Sequence, residues 1–179
     1  MRVIVAAAGN GERWNNHRNI PKHFINIEGQ TLLSRIVSQF RRYTEDIVII
    51  GKDDRYIVEG SVLEYPLEGE FYDFGKIYSS SHVWSDHKTI IVFGDVYFTD
   101  EAVETIVNDT NNYRFFMRTG PSVVTGKKHK EIFALSFDSS MNQIIKQNIE
   151  DLINKKYMGG AGAWQLYLYM HNEKITWNM

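Results

Sequence analysis

The amino-acid sequence predicts an α/β fold with three layers, in which helices cover both faces of a mostly parallel central sheet. Three observations support this fold class: continuous apolar runs typical of strands buried on both faces, amphipathic stretches between those runs, and a length of 179 residues. That length suits one globular domain, and no repeat, low-complexity tract or proline-rich linker divides it. We therefore expect residues 1–179 to form a single domain.

The strands are predicted from five runs. The first is RVIVAAA at residues 2–8, a β-branched and small apolar run that ends in glycine. Similar runs occur at 46–51 (DIVIIG) and 88–95 (KTIIVFGD), and further strands are indicated at 114–118 (RFFMR) and 131–137 (EIFALSF). Ligands of such folds bind at the carboxyl ends of the parallel strands, so we look for a site there.

Helices are predicted between and after these runs. The apolar positions that share one helical face are Leu32, Leu33, Ile36, Val37 and Phe40 in the first helix and Val103, Ile106 and Val107 in the second. Residues 139–157 form an amphipathic stretch with a serine start, and 162–171 form an aromatic one. Core packing or a homodimer face would explain Tyr167, Leu168 and Met170 in the last helix. Residues 52–81 show the weakest pattern.

Composition excludes several function classes. The formal net charge is −2, so the sequence as a whole does not favour nucleic acid or an anionic membrane as partner. The longest apolar run, residues 3–8, is far too short to span a membrane. The absence of cysteine excludes disulfides and thiolate metal sites and makes the cytoplasm the expected location.

A glycine-containing turn follows the first strand. Gly9 and Gly11 allow the chain to turn sharply and to present successive backbone N–H groups to an anionic oxygen. The dinucleotide-binding pattern requires a third glycine where this sequence has Trp14, and no Gly-Lys-Ser/Thr follows as in a Walker loop. The glycines alone are equally compatible with an ordinary strand-to-helix turn.

The neighbouring residues add specificity. AAGNGERW (residues 7–14), followed by IPKHFINIEGQTLLSRIV (20–37), resembles the signature of the GT-A-like nucleotidyltransferases. The matching positions are Ala7, Ala8, Gly9, Gly11, Arg13, Pro21, Lys22, Gly29, Leu32 and Leu33. IIVFGDVYF (90–98) is similar to that family's strand ending in Gly-Asp, and together these segments cover about half of the chain. The resemblance implies a Rossmann-like, GT-A-type fold.

The resemblance also implies a reaction. Members include sugar-1-phosphate nucleotidyltransferases, methylerythritol phosphate cytidylyltransferases and molybdenum cofactor guanylyltransferases. A phosphorylated acceptor attacks the α-phosphorus of a nucleoside triphosphate (NTP), and pyrophosphate leaves. Arg13 and Lys22 would be the catalytic cations, and Asp95 would bind Mg²⁺. Taken alone, each cation is more typical of a solvated surface, and Asp95 could instead cap a helix, although Asp100 is the better candidate for that cap.

Further residues are candidates for the two substrate sites: the nucleotide set follows from the resemblance, and the acceptor set follows from a charged turn at 125–131 and an aromatic residue beside flexible backbone. Those expected at the nucleotide are Ala7, Ala8, Gly9, Asn10, Gly11, Gly75 and Ser79, and those expected at the acceptor are Lys127, Gly160 and Trp164. The structural alternatives are a plain serine-rich turn for Gly75 and Ser79, a solvated charged turn for Lys127, and a core position for Trp164. The histidines show no zinc-binding spacing.

Three questions about function stay open. Members of the family usually have a second metal aspartate after a late strand, and no acidic residue follows Glu173 here. We expect the sequence to stop short of that residue, since KITW (174–177) resembles the preceding strand; the alternative is a metal held by one carboxylate and water. A second hypothesis for the function is a protein that binds nucleotide but does not catalyse turnover. A glycosyltransferase of related fold is a third, but Asp-x-Asp is missing from the sequence.

Overall fold

A computed structural model describes residues 1–9, 20–67, 75–123, 126, 128, 130–154 and 163–174. The strands are β1 (Arg2–Ala6), β2 (Asn26–Ile27), β3 (Gln30–Thr31), β4 (Ile47–Ile50), β5 (Val62–Glu64), β6 (Lys88–Phe93), β7 (Tyr113–Arg118) and β8 (Glu131–Asp138). The helices are α1 (Leu32–Phe40), α2 (Gly75–Tyr78), α3 (Asp100–Val107), α4 (Asn142–Asn154) and α5 (Ala163–Met170). All five predicted strands are present, and each predicted helix has a counterpart.

The central sheet has six strands in the order β5-β4-β1-β6-β8-β7. Strands β5, β4, β1 and β6 are parallel, whereas β8 runs antiparallel to both β6 and β7. The mostly parallel sheet of the sequence prediction is confirmed. Ala6 of β1 is in register with Ile50 of β4 and Phe93 of β6, so these three strands end at the same edge.

Two apolar cores lie on opposite faces of this sheet. Successive residues of β1 point to different cores: Val3 and Val5 pack with α1 and α3, whereas Ile4 and Ala6 pack with α4 and α5. All four β1 side chains are at most 4% exposed. Because a strand covered on both faces must be apolar at its covered positions, the continuous apolar run at 3–8 is explained by the layers themselves.

The helix starts follow ordinary capping rules, with one correction. The side chain of Thr31 accepts a hydrogen bond from the Ser34 N–H at the start of α1. At α3 the cap is Thr99, whose Oγ1 accepts from the Ala102 N–H at 3.2 Å. The prediction of Asp100 as the cap was therefore wrong. Asp100 is already the first helical residue, and its carboxylate binds Gln39 and Arg42.

A buried carboxylate fixes the antiparallel strand at the far end of β6. The Asp109 side chain has no exposed surface and accepts a hydrogen bond from Ser136 Oγ of β8 at 2.7 Å. The Lys88 ammonium of β6 donates a hydrogen bond to the backbone carbonyl of Asp109. Asp109 thus joins β6 to β8 on the side of the sheet opposite the end of β1.

The described part of the chain contains no helix with the length and apolar character needed to cross a membrane.

Candidate active site

Loops that follow β1 and β6 meet at the carboxyl edge of the sheet. The Gly94 N–H donates to the Ala6 carbonyl at 3.0 Å, which keeps the residue before Asp95 beside the end of β1. A Cβ on Gly94 would lie 3.2 Å from Ala7 Cβ and 3.3 Å from both Ala6 O and His23 Cδ2. Gly94 is therefore tightly packed, and its position brings Asp95 close to Ala7 at the start of the first loop (residues 7–13).

Lys22 reaches Asp95 from a segment that is fixed on both sides. Pro21 precedes a short 3₁₀ turn over Lys22–Phe24, and the Leu32 N–H at the start of α1 donates to the Ile25 carbonyl at 2.9 Å. Between them, β2 and β3 form a two-residue hairpin whose Glu28 and Gly29 have φ values of 53° and 89°. Positive φ at both positions suits a tight hairpin and favours glycine at the second.

The side chains of Lys22 and Asp95 form an ion pair. Lys22 Nζ contacts Asp95 Oδ2, and each side chain is only 22% exposed. The sequence predicted both residues as parts of one site although they are 73 positions apart, and the structure places them in contact. Their assigned roles in catalysis and metal binding stay predictions.

A second lysine, which the sequence analysis missed, completes this cluster. Lys76 Nζ lies 3.9 Å from Asp95 Oδ2 and 5.1 Å from the centroid of the Phe93 ring. Its Cε lies 3.6 Å from the point that a Cβ on Gly9 would occupy. Lys76 thus lies between the first loop and Asp95.

The lysines keep Asp95 ionised. Burial would raise the pKa of the Asp95 carboxyl, but the charge of Lys76 and the hydrogen bond and charge of Lys22 outweigh that effect. The resulting pKa is below the ordinary value for aspartate. Asp95 therefore presents a carboxylate at neutral pH.

A buried, neutral histidine lies next to this cluster. His23 is 2% exposed, and its ring packs against Tyr56 with 5.6 Å between centroids. Burial lowers the pKa of His23 to about 4, because desolvation outweighs the attraction of Asp95, and three nearby lysines add to the effect. A neutral imidazole adds no positive charge beneath the two ammonium groups.

Acid should destabilise the protein through His23. Above pH 6.5 the histidine is neutral in both states; between pH 6.5 and about 4 it binds a proton only when unfolded. That difference removes about 3 kcal/mol from the free energy of unfolding by pH 4. Urea unfolding from pH 7.5 to 4.5 measures this loss, and we expect His23→Gln to reduce the slope over that range. The control is His87→Gln, whose original side chain is 80% exposed; equal slopes in His23→Gln and wild type would contradict the assignment.

Close packing at Gly94 gives a second prediction. We expect Gly94→Ala to lower the free energy of unfolding by about 1 to 3 kcal/mol, because the methyl group meets backbone and buried atoms that must move. Thermal unfolding measures the change. Gly120→Ala is the matched control, since an added Cβ there meets no atom within 4 Å. Equal melting temperatures in the two variants would show that the 3.2 Å contact is not restrictive.

Other predicted nucleotide residues lie near this cluster. Ala7 is fully buried, and Ala8 packs against the core that contains α4 and α5. Gly75 begins α2 directly before Lys76, and the Ser79 carbonyl, just after α2, accepts from the Leu67 N–H at 2.9 Å. Their roles stay predictions. The remaining predicted site residues lie outside the described ones: Asn10, Gly11, Arg13, Lys127 and Gly160.

Trp164 is mainly a core residue. Its side chain is 6% exposed, and its ring stacks on Tyr167 with 4.8 Å between centroids. Lys130 Nζ lies 4.5 Å from the ring centroid, and the indole N–H has no hydrogen-bond partner among the described residues. Lys130 directly precedes β8, whose Ala134 pairs with Val92, so the pair lies toward the edge that holds Asp95.

Comparison with known families supports the sequence resemblance. The family model of 2-C-methyl-D-erythritol 4-phosphate cytidylyltransferase, IspD, matches residues 1–64. This segment contains the first loop and Lys22, and it ends at β5. None of the curated proteins compared matches the chain by sequence.

Three solved structures have a similar fold. They are a protein described as a glucose-1-phosphate thymidylyltransferase from Bacillus anthracis (14% identity, TM-score 0.64, 99% of this chain and 88% of that one), the inositol-1-phosphate CTP transferase from T. maritima (11%, 0.67, 96% and 81%), and the 2-C-methyl-D-erythritol 4-phosphate cytidylyltransferase from Thermus thermophilus (12%, 0.61, 95% and 84%). This chain shares the fold of these three proteins. The fold class predicted from the sequence is confirmed.

Asp95 fits a metal that arrives with a nucleotide. Mg²⁺ in phosphoryl-transfer sites is commonly bound by one or two carboxylates together with substrate phosphates. Asp95 is an ionised hard-oxygen donor at the carboxyl edge of the parallel strands, where open α/β sheets bind their ligands. Within the described ranges, no group of three His, Asp or Glu side chains forms a metal cage.

Sequence patterns contain little signal for Lys76 and His23. Helix α2 has four residues, too few for a recognisable apolar period. His23 is adjacent to Lys22, but an isolated histidine without metal-ligand spacing is equally typical of a core. The Gly-Lys pair at the start of α2 is the one feature that could have drawn attention to Lys76.

Proposed function

We propose that this protein is a nucleotidyltransferase of the 2.7.7 type, which transfers a nucleoside monophosphate from an NTP to a phosphorylated sugar or polyol. The contact of Lys22 with Asp95 beside the first loop supports this function most directly. The contact joins two predicted site residues from distant segments, the 3₁₀ turn after Pro21 and the loop after β6. The family model over residues 1–64 and the fold of the three solved structures also support it.

The proposed reaction requires positioning and charge rather than a side-chain nucleophile. An acceptor phosphate oxygen forms a bond to the α-phosphorus, and the bond from that phosphorus to the bridging oxygen breaks. Pyrophosphate takes the bonding electrons. Charge accumulates on the phosphoryl oxygens, and preorganised cations stabilise such charge strongly in a partly buried site.

The chain supplies suitable cations. Lys22 is a compact charge that can contact the α-phosphate and the acceptor, whereas Arg13 is proposed to bind the departing β- and γ-phosphates with its fork of donors. Backbone N–H groups of the first loop would cradle the same phosphates. No covalent intermediate is needed, since the acceptor itself is the nucleophile.

Mg²⁺ is the proposed cofactor. Asp95 would hold it, and when bound it would shield the triphosphate charge. A second carboxylate ligand is not required by the proposal, because phosphate oxygens and water can complete the coordination. Chelation by EDTA should abolish activity, and excess Mg²⁺ should restore it.

The acceptor is proposed to bind beside the start of β8. Lys127, Gly160 and Trp164 are the candidate residues from the sequence. The neighbouring Lys130 contributes a cation above the Trp164 ring, and a cation next to an aromatic face suits a phosphorylated sugar or polyol. A cytoplasmic location and a homodimer also belong to this proposal; the cysteine-free composition supports the first.

Pyrophosphate release tests the proposal. The assay contains Mg²⁺, each of CTP, UTP, GTP and dTTP in turn, and a panel of sugar and polyol phosphates. We expect pyrophosphate to be released with one of the four nucleotides, and only when a suitable acceptor is present. Nucleotide binding without release under every condition would favour the binding protein without turnover, and consumption of a nucleotide sugar would favour the glycosyltransferase.

A further inference from the structure

Lys76 lies between Gly9 and Asp95, two residues of the proposed nucleotide and metal site. Its Cε lies 3.6 Å from where a Cβ on Gly9 would be, and its ammonium lies 3.9 Å from Asp95 Oδ2. The aliphatic stem extends across this gap, and the side chain is 28% exposed. Phe93, at the end of β6, lies below the ammonium with 5.1 Å to its ring centroid.

Among the residues that the structure describes, the cluster around Asp95 carries more positive than negative charge. Lys22 and Lys76 contribute two positive charges against one carboxylate, and His23 is neutral at pH 7. Lys52 lies near enough to influence the His23 ring as well. A free divalent cation approaching Asp95 meets two ammonium groups, whereas a polyanion meets an attractive field.

The two lysines approach Asp95 from different elements. Lys22 comes from the turn after Pro21, on the side that leads into α1, and Lys76 comes from α2. Lys76 also lies beside the first loop, at Gly9. A small movement of its ammonium from Asp95 toward that loop would bring it to a bound phosphate.

We propose that Lys76 is a nucleotide-phosphate ligand that holds Asp95 in the nucleotide-free protein and so excludes a free divalent cation until the metal arrives with the nucleotide. This inference rests on the proposed function. It assigns Lys76 two exchangeable partners, the Asp95 carboxylate and a phosphate oxygen, and it makes metal binding depend on nucleotide binding.

Lys76→Met tests both partners while keeping an unbranched side chain on Phe93. Electron paramagnetic resonance measures binding of Mn²⁺ alone to the nucleotide-free protein, and calorimetry measures binding of each Mg²⁺–NTP complex without acceptor. We expect Mn²⁺ to bind about tenfold more tightly, because a cation next to Asp95 is removed. The nucleotide should bind about tenfold to a hundredfold more weakly, because a charge-assisted hydrogen bond is lost.

Three further variants make the result specific. Lys76→Arg should stay near wild type in both measurements, because it keeps the charge. Lys174→Met removes one exposed charge elsewhere and should change neither. Adding Asp95→Asn to Lys76→Met should abolish the gain in Mn²⁺ affinity, which would place the ion at Asp95.

Several results would overturn the inference. Unchanged or weaker Mn²⁺ binding in Lys76→Met would show that this lysine does not guard Asp95, and unchanged nucleotide affinity would show that it is not a phosphate ligand. Wild-type protein that binds none of the four nucleotides would instead refute the proposed function. The Mn²⁺ measurement would still decide whether Lys76 shields Asp95.

Discussion

Replacing Asp95 by asparagine is expected to reduce nucleotidyl transfer by at least about a hundredfold, because the amide keeps the shape of the side chain but loses the charge that would bind the metal. The fold should persist. The ion pair with Lys22 is partly exposed, with both side chains at 22%, so we expect a loss of about 1 kcal/mol or less and a fall in melting temperature of about 2 to 4 °C.

Pyrophosphate release at saturating substrate, with circular dichroism on the same sample, measures both effects. Asp86→Asn is the matched control, because the Asp86 side chain is 92% exposed and lies before β6 rather than after it. Wild-type activity in Asp95→Asn would refute the assignment of this residue. A folded but inactive Asp95→Asn beside an active Asp86→Asn would support it.

Substitution of Lys22 by alanine should have a comparable effect for a different reason. The variant loses the compact cation that would stabilise charge on the α-phosphoryl oxygens, so we expect kcat to fall by about a hundredfold to a thousandfold. KM for the nucleotide should change less, since other groups bind the remaining phosphates. Steady-state kinetics with both substrates varied separates these effects.

The remaining contacts around Lys22 make the result interpretable. Lys76 still neutralises Asp95 in Lys22→Ala, so the carboxylate is not left without a cation. Lys174→Ala provides an exposed control of the same type. A change in KM with kcat unaltered would show that Lys22 only binds substrate, and wild-type values for both constants would remove it from the site.

The arrangement of strands could be predicted only in part. The run at residues 2–8 indicates burial on both faces because no polar position interrupts it, and β1 is indeed the strand between β4 and β6. The runs at 114–118 and 131–137 show that strands exist but contain no information on direction. The antiparallel course of β8 depends on long-range contacts such as Ser136 with Asp109, which no local pattern encodes.

The candidate site shows a similar division. Lys22 and Asp95 were predicted because each lies within a run of matching residues, whereas their contact depends on how the turn after Pro21 packs beside the end of β6. Lys76 was missed because its importance depends on where α2 lies relative to Gly9 and Asp95. The distances from Lys76 to Gly9 and to Asp95 cannot be predicted from the sequence, because α2 has only four residues and lies in the least regular part of the chain.

The reversed strand has a consequence for how substrate preference can vary. Because β8 runs antiparallel to both β6 and β7, the segment between Arg118 and Glu131 begins and ends at the sheet edge that holds Asp95, whereas the loops proposed to bind the triphosphate follow β1 and β6. Changes in that segment can therefore reshape recognition of one reactant without disturbing the strands that support the other. Under the proposed function, the segment that would bind the acceptor and the loops that would bind the triphosphate can therefore change independently during evolution.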